Sequence, residues 1–193
     1  IITFYNPVAD KAFTIGQWKT DLILTISKGN KKYKEVGLDN VLPKGAERFV
    51  AVSTGKEGTK IYLDGKLSAE FPRFIFSERG LSLLVLGNSP AGEYHWAGDI
   101  SGLAVYDNIL NDSDVYRRYN ELGGGYRYPE GLRPAAFYTF SEHGKGLSYN
   151  RAADMGHILV PPAFKALKKS FFSSPVEDFQ PTLGLIVPKD KIA

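Results

Sequence analysis

The chain has 193 residues, no cysteine and a formal net charge of +3. Without cysteine, disulfides, thiolate metal sites and cysteine nucleophiles are excluded. So small a positive charge, with no nucleic-acid-binding motif beside it, predicts no nucleic-acid partner. Hydrophobic residues make up 43% of the chain, and 20 glycines and 11 prolines supply many turns. This composition and length favour one all-β domain with an appendage.

Short alternating runs of apolar and polar residues predict nine strands in the first part of the chain. Asp64 and Gly65 lie between two of these runs and predict a tight hairpin, because both central residues of such a turn need positive φ. Many short strands at near-regular spacing indicate an antiparallel two-sheet β-sandwich. The predicted strands span residues 1–5, 13–19, 22–27, 33–38, 48–53, 60–63, 66–71, 83–87 and 99–106.

One short helix is predicted at residues 112–122. Asn111 can cap its N-terminus, and Asp112 and Asp114 carry negative charge where the helix dipole is positive. Apolar residues then recur at helical spacing from Val115 onward. Three consecutive glycines at 123–125 predict the end of the helix and a flexible joint after it.

The order of several short motifs resembles that of the laminin-G-like, concanavalin-A-like jelly-roll domains. These motifs are Phe-Thr-Ile-x-x-Trp at 13–18, Tyr-x-Asp-Gly-Lys at 62–66, Leu-x-Leu-Gly at 84–87, Gly-Asp-Ile at 98–100 and the helix at 112–119. The resemblance implies an all-β jelly roll of two antiparallel sheets with one short helix. It also implies that Trp18 and Trp96 pack in the core, because both coincide with family positions that usually do so.

A further predicted strand lies at residues 135–140, beyond the glycine joint, and resembles the strand that usually opens a laminin-G-like domain. Either a second domain begins there and is truncated, or the domain is circularly permuted and its first strand comes last. We favour permutation, because the remaining residues are too few for another sandwich. We therefore expect the main sandwich at 1–125, a completing strand and loop at 126–160, and an irregular extension or linker at 161–193.

The C-terminal segment from Leu147 to Phe179 resembles the linker of bacterial VanZ-like membrane proteins. That resemblance implies an extracytoplasmic module of the bacterial envelope, tethered to the membrane through segments outside this sequence. The chain also begins without a methionine, so we expect it to be a fragment of a longer protein.

The sequence carries no motif that predicts catalysis. Glycosidases of this fold place paired carboxylates in a Glu-x-Asp-x-x-Glu pattern on one strand, and that spacing is absent from the chain. We therefore expect a non-enzymatic protein. No cofactor is predicted, although calcium occurs in relatives. Oxygen-bearing side chains are available for calcium, but each has a turn or capping role that explains it: Asp39, Asn40, Asn88, Asp107, Asn108, Asp112 and Asp114.

Loops at the edge of a rigid sandwich are the usual place for binding groups. The loop at 88–95 carries the ligand-binding candidates Asn88, Glu93, Tyr94 and His95. Carbohydrate or another envelope polymer is the expected ligand. The alternative is a structural or protein-interaction module with no glycan ligand. A local basic run at Lys28, Lys31, Lys32 and Lys34 is interpreted as a solvated hairpin, with attraction to an anionic polymer or membrane surface as the other reading.

Overall fold

The computed structural model describes residues 1–29, 31–76, 83–88, 95–123, 133–140, 147–153, 156–159 and 185–187. Within these residues the chain forms thirteen short strands and a single helix. The strands are β1 (Ile2–Asn6), β2 (Lys11–Trp18), β3 (Asp21–Lys28), β4 (Lys31–Leu38), β5 (Val50–Gly55), β6 (Gly58–Leu63), β7 (Lys66–Phe71), β8 (Leu83–Leu86), β9 (Leu103–Val105), β10 (Ala136–Tyr138), β11 (Leu147–Ser148), β12 (His157–Leu159) and β13 (Leu185–Val187). The helix, α1, spans Asp112–Gly123.

The strands form an all-β jelly-roll sandwich of antiparallel sheets. The largest, here called the main sheet, has five strands in the order β4-β3-β2-β1-β8. The second sheet has the order β5-β6-β7 and packs over one half of the main sheet. Two smaller sheets, β9-β10 and β11-β12-β13, contain the C-terminal strands.

Two buried clusters form the core, and both use the same face of the main sheet, which we call its inner face. Phe13 on β2 pairs with Phe4 on β1, and Phe4 pairs with Leu84 on β8, so these three side chains point to one side. The first cluster lies under the second sheet and contains Phe13, Leu22, Leu24, Ile61, Phe74 and Phe76. The second cluster joins the main sheet to the C-terminal strands and contains Leu84, Leu86, Tyr138 and Ile158.

The structure confirms the predicted antiparallel sandwich and its hairpin. Asp64 and Gly65 connect β6 to β7 with φ angles of 49° and 78°, as a tight turn with positive φ at both positions requires. The strand predicted at residues 99–106 is present but shorter than expected. Only Leu103–Val105 is a strand, because its partner β10 offers just three paired residues, Ala136 to Tyr138.

The strand expected at 135–140 is present as β10, and it pairs with β9 from the main part of the chain. The backbone N–H of Phe137 donates to Oδ1 of Asn150 at 3.0 Å, and the hydroxyl of Tyr138 donates to the carbonyl of Gly156. Tyr138 is fully buried in the second cluster. These C-terminal residues therefore contribute to the core, while the three expected domain boundaries stay predictions.

Helix α1 is capped as expected and docks on the outside of the second sheet. Oδ1 of Asn111 accepts from the backbone N–H of Asp114 at 2.9 Å, and Oδ2 of Asp114 accepts from the N–H of Asn111 at 3.4 Å. This reciprocal pair satisfies two donors at the helix start. Ile61 packs in the first cluster, so the next residue on β6, Tyr62, points to the opposite face and bonds Asp112 of the helix.

Candidate functional site

The structure brings together two of the four residues predicted to bind a ligand. Asn88 follows β8, and its Nδ2 lies 3.1 Å from Nδ1 of His95. Asn88 is buried and His95 is exposed, so the amide holds the imidazole at the surface. Glu93 and Tyr94 lie outside the described residues. A ligand role for this loop stays a prediction.

Trp96 is fixed at the same end of the main sheet and serves as scaffold. Its indole Nε1 donates to Oε1 of Gln17 at 2.8 Å, and its backbone N–H donates to the carbonyl of Gly87 at 2.8 Å. The ring lies against Gly98, where an added Cβ would come within 2.4 Å of ring carbons. Trp96 is half-buried and belongs to neither buried cluster, so the expected core packing is not confirmed; its indole packs at the edge of the sheet instead.

Trp18 does not pack in the core, contrary to the expectation. Its side chain is 65% exposed. The cause is its position on β2, where Phe13, Ile15 and Gln17 point to the inner face. Side chains alternate along a strand, so Trp18 points to the opposite, outer face of the main sheet. It is also the last residue of β2, where it pairs only with Asp21.

The outer face carries a row of hydroxyl groups that runs across the main sheet. Thr3, Thr14 and Thr25 pair in register on adjacent strands, and Glu35 on β4 pairs with Thr25. The hydroxyls of Thr3 and Thr14 are 3.1 Å apart, and Thr25 Oγ1 donates to Oε2 of Glu35 at 3.4 Å. Thr3 is buried, Thr14 and Thr25 are half-buried, and Glu35 is exposed. The accessible part of the row therefore lies on β2, β3 and β4.

Along β2, the hydroxyl row is connected to Trp18 by a shallow path. Thr14, Gly16 and Trp18 follow one another on the outer face, and a Cβ added at Gly16 would meet nothing closer than 3.7 Å. No side chain at Gly16 stands between the threonine and the indole. We call Thr14, Gly16, Trp18, Thr25 and Glu35 the outer-face site.

Trp18 stands next to a well-ordered turn. In the turn between β2 and β3, Thr20 Oγ1 donates to Oδ1 of Asn40 at 2.9 Å. The backbone N–H of Asn40 donates to Oδ1 of Asp21 at 2.8 Å, and that of Leu42 donates to the carbonyl of Thr20 at 2.8 Å. These bonds attach the turn to the loop after β4. A rigid support reduces the entropy lost when a ligand binds to the indole.

Several of the oxygen-bearing residues considered for calcium have other partners in the structure. Asn88 contacts His95, Asp112 accepts from Tyr62, and Asp114 caps the helix. In the part of the chain that the structure describes, no group of three or more His, Cys, Asp or Glu side chains could hold a metal ion.

Sequence reasoning missed most of the outer-face site. Thr14, Gly16, Thr25 and Glu35 form no motif, and each is an ordinary residue for a strand face. A signal was nevertheless present in the second predicted strand, where Thr14-x-Gly16-x-Trp18 alternates with Phe13-x-Ile15. Because Phe13 and Ile15 are apolar, strict alternation assigns Trp18 to the solvent side.

In the described residues, the antiparallel sheets and the single short helix define an all-β sandwich of the jelly-roll class. The chain belongs to the concanavalin A-like lectin/glucanases superfamily, whose family model matches residues 6–116. That match does not reach the segment that resembles VanZ-like proteins. A comparison with curated proteins found no match.

Among solved structures, the chain is similar to an S-layer domain-containing protein (residues 221–444) from Clostridium thermocellum. The two share 15% sequence identity with a TM-score of 0.34, over 61% of this chain and 60% of the other.

The helix in the described residues, α1, is not long and apolar enough to cross a membrane.

Proposed function

We propose that this chain is a non-catalytic carbohydrate-binding module that acts outside the cytoplasm on an envelope or environmental polysaccharide. The observation that carries the proposal is the 65% exposure of Trp18 on a sheet face that also presents hydroxyl and carboxylate groups. A large aromatic side chain left in solvent at the end of a core strand contributes little to folding. Membership of a superfamily of lectins and glucanases supports a glycan as the ligand.

The geometry suits a sugar because sugars have two kinds of surface. The C–H face of a pyranose ring is apolar and can stack on the indole of Trp18. The ring hydroxyls need hydrogen-bond partners, which Thr14, Thr25 and Glu35 supply along the same face. The flat path over Gly16 leaves room for a chain of sugars to lie between these two regions.

The main test is a glycan-array screen with and without calcium, followed by calorimetric titration of the best ligand. We expect Trp18→Ala to abolish binding while the urea midpoint of unfolding changes little, because the side chain is mostly exposed. Tyr116→Ala is the matched control, since Tyr116 is 53% exposed on α1, away from this face. It should bind as the unchanged chain does.

A second variant tests the hydroxyl row. Thr25→Val keeps the shape of the side chain and removes its hydroxyl, so we expect weaker binding with an unchanged fold. If no bacterial or plant polysaccharide binds, the proposal is wrong and the structural, protein-interaction alternative takes its place. If Trp18→Ala still binds the ligand, the binding site does not lie on the outer face.

A further inference from the structure

The strand register gathers lysines at the end of the main sheet opposite Trp18. Lys11 on β2 pairs directly with Lys28 on β3, and Lys28 pairs directly with Lys31 on β4. Paired residues on neighbouring strands project to the same face, with strands about 4.8 Å apart. Three positive charges therefore form one row, which we call the lysine row. Lys28 and Lys31 are exposed.

One more lysine lies close to this row. Lys34 pairs with Ile26, two residues before Lys28, and is therefore on the same face of the main sheet. Its Nζ donates to the backbone carbonyl of Arg73 at 3.1 Å, which places Arg73 beside β4. The sequence showed Lys28, Lys31, Lys32 and Lys34 as a local run. Only the register adds Lys11 to the row.

Two acidic residues that the structure describes near the row have other hydrogen-bond partners. Glu35 lies on the outer face, where it accepts from Thr25. Asp10 precedes Lys11, and its carboxylate accepts from the hydroxyl of Tyr5 at 3.0 Å and lies next to Gly29. The Asp10 carboxylate therefore lies at the edge of the row, next to the residue that follows Lys28, whereas Glu35 is on the opposite face of the sheet.

Like charges placed directly opposite on neighbouring strands destabilise a sheet. Lys28 and Lys31, which are both exposed, form such a pair, so removing their charges should not weaken the sheet. A polyanion gains from such a row, because each anionic group meets a lysine and the polymer releases its counterions on binding.

We propose that the lysine row binds an acidic polysaccharide, a polymer of sugars that carry carboxylate groups. The inference rests on the proposed function, which makes the ligand a glycan, and it adds the class of glycan. Lys11 and Trp18 are separated by seven positions on β2, which corresponds to about 24 Å along a strand. The row is therefore a second contact region, distinct from the outer-face site.

A bilayer is the less suitable anionic partner. Val8 is 95% exposed in the turn between β1 and β2, near Lys11. One valine buries too little apolar surface to anchor a module in a membrane interface. A nucleic acid is also disfavoured. Single strands are usually held by stacking on exposed aromatic side chains, and the aromatic that the structure describes on this face near Lys11, Phe13, is buried.

The test compares two probes with the same backbone. Polygalacturonate carries one carboxylate on each sugar, and fully methyl-esterified polygalacturonate has the same sugars without the charge. For the unchanged chain at low salt, we expect about tenfold tighter binding to the acidic probe, a preference that falls as salt screens the charges. Lys28→Gln/Lys31→Gln should remove most of that preference. Lys66→Gln, an exposed lysine on β7 that pairs with Leu63, is the matched control.

The double variant should unfold at an equal or higher urea concentration, since it relieves repulsion, so a loss of binding will not reflect a loss of fold. Equal binding of both probes by the unchanged chain would overturn the inference. So would a preference that the double variant retains or that Lys66→Gln also loses. Tighter lysine-dependent binding to phosphatidylglycerol vesicles or to single-stranded DNA than to polygalacturonate would overturn the choice of ligand.

These results are separable from a failure of the proposed function. If the chain binds neutral glycans through Trp18 but shows no preference for the acidic probe, only the further inference fails. If it binds no glycan at all, charged or neutral, both fail.

Discussion

The hydroxyl of Tyr62 donates a hydrogen bond of 2.8 Å to Oδ1 of Asp112, fifty residues further along the chain. The bond joins β6 of the second sheet to the first turn of α1. Tyr62 is fully buried. Burial first, and then the neighbouring Asp112 carboxylate, raise the pKa of Tyr62 above its usual value. The helix is thus attached to the sandwich through a neutral tyrosine.

Tyr62→Phe should lower the free energy of unfolding by about 1 kcal/mol, because the phenyl ring fills the same space and only the hydrogen bond is lost. Asp112 remains largely exposed and can be hydrated again, which limits the cost. Urea denaturation followed by fluorescence measures the change. Tyr116→Phe, at an exposed position of α1, should be neutral. Equal effects of the two changes would contradict a structural role for this bond.

Gly65→Ala should be clearly more destabilising than Gly45→Ala. Both glycines have φ of +78°, so both changes carry the strain of placing alanine in the left-handed region, about 1 kcal/mol or more. A Cβ at Gly65 would also lie 2.9 Å from Cβ of Tyr119, whereas one at Gly45 would meet nothing within 4 Å. We expect an additional loss of about 1–3 kcal/mol at Gly65, because α1 must shift. Equal urea midpoints would show that the helix does not press on the turn.

The protein should lose stability in alkali through Tyr138. Burial raises the pKa of Tyr138 to about 12 from the ordinary 10.0. The folded state therefore favours the neutral phenol, and its contribution is complete below pH 10 and is lost as the pH rises from 10 to about 12. The loss should be on the order of 2 kcal/mol. Urea titrations between these pH values measure it. Tyr138→Phe should make the slope shallower, with the buried Tyr62 supplying what remains, whereas Tyr116→Phe should leave the slope unchanged.

Truncation after Gly125 should give an unstable or aggregating fragment. The change removes β10, the partner of β9. Without it, β9 becomes an open sheet edge. It also removes Tyr138 and Ile158 from the second core cluster and exposes Leu84 and Leu86. Size-exclusion chromatography and thermal unfolding of the 1–125 fragment measure the outcome. A soluble fragment that unfolds cooperatively would show that the module ends before the joint, and would favour a separate second domain.

Much of the fold could be predicted because it depends on local pattern. Alternation along short runs predicts strands, and a run ends where glycine, asparagine or proline provides a turn. Asp64-Gly65 and the cap at Asn111 were predicted for the same reason, since a tight turn and a helix start are each decided by a few neighbouring residues. The length of β9 could not be predicted in this way, because it depends on how many residues its distant partner β10 provides.

The candidate site was harder to predict, since it depends on register. Asn88 and His95 share a loop and were found together from the sequence. Thr14, Thr25 and Glu35 come from three strands and meet only through pairing. Family resemblance gave the wrong place for Trp18, because it assigned an average position to a residue that here ends its strand on the outer face.

Local pattern predicted the strands of the main and second sheets, the Asp64-Gly65 hairpin, the capped helix and an all-β sandwich, because the physical causes of these features lie within a few residues of one another. It did not predict β11, β12 or β13. Tertiary structure decided which faces the strands present. It placed Trp18 in solvent, brought Lys11 beside Lys28 and Lys31, and added Tyr138 to the core. It also gave Asp64 a second role. The carboxylate of Asp64 accepts from the backbone N–H of Phe49 and from the guanidinium of Arg48, two residues just before β5. Such relations follow from register and packing between distant segments, which local pattern does not contain.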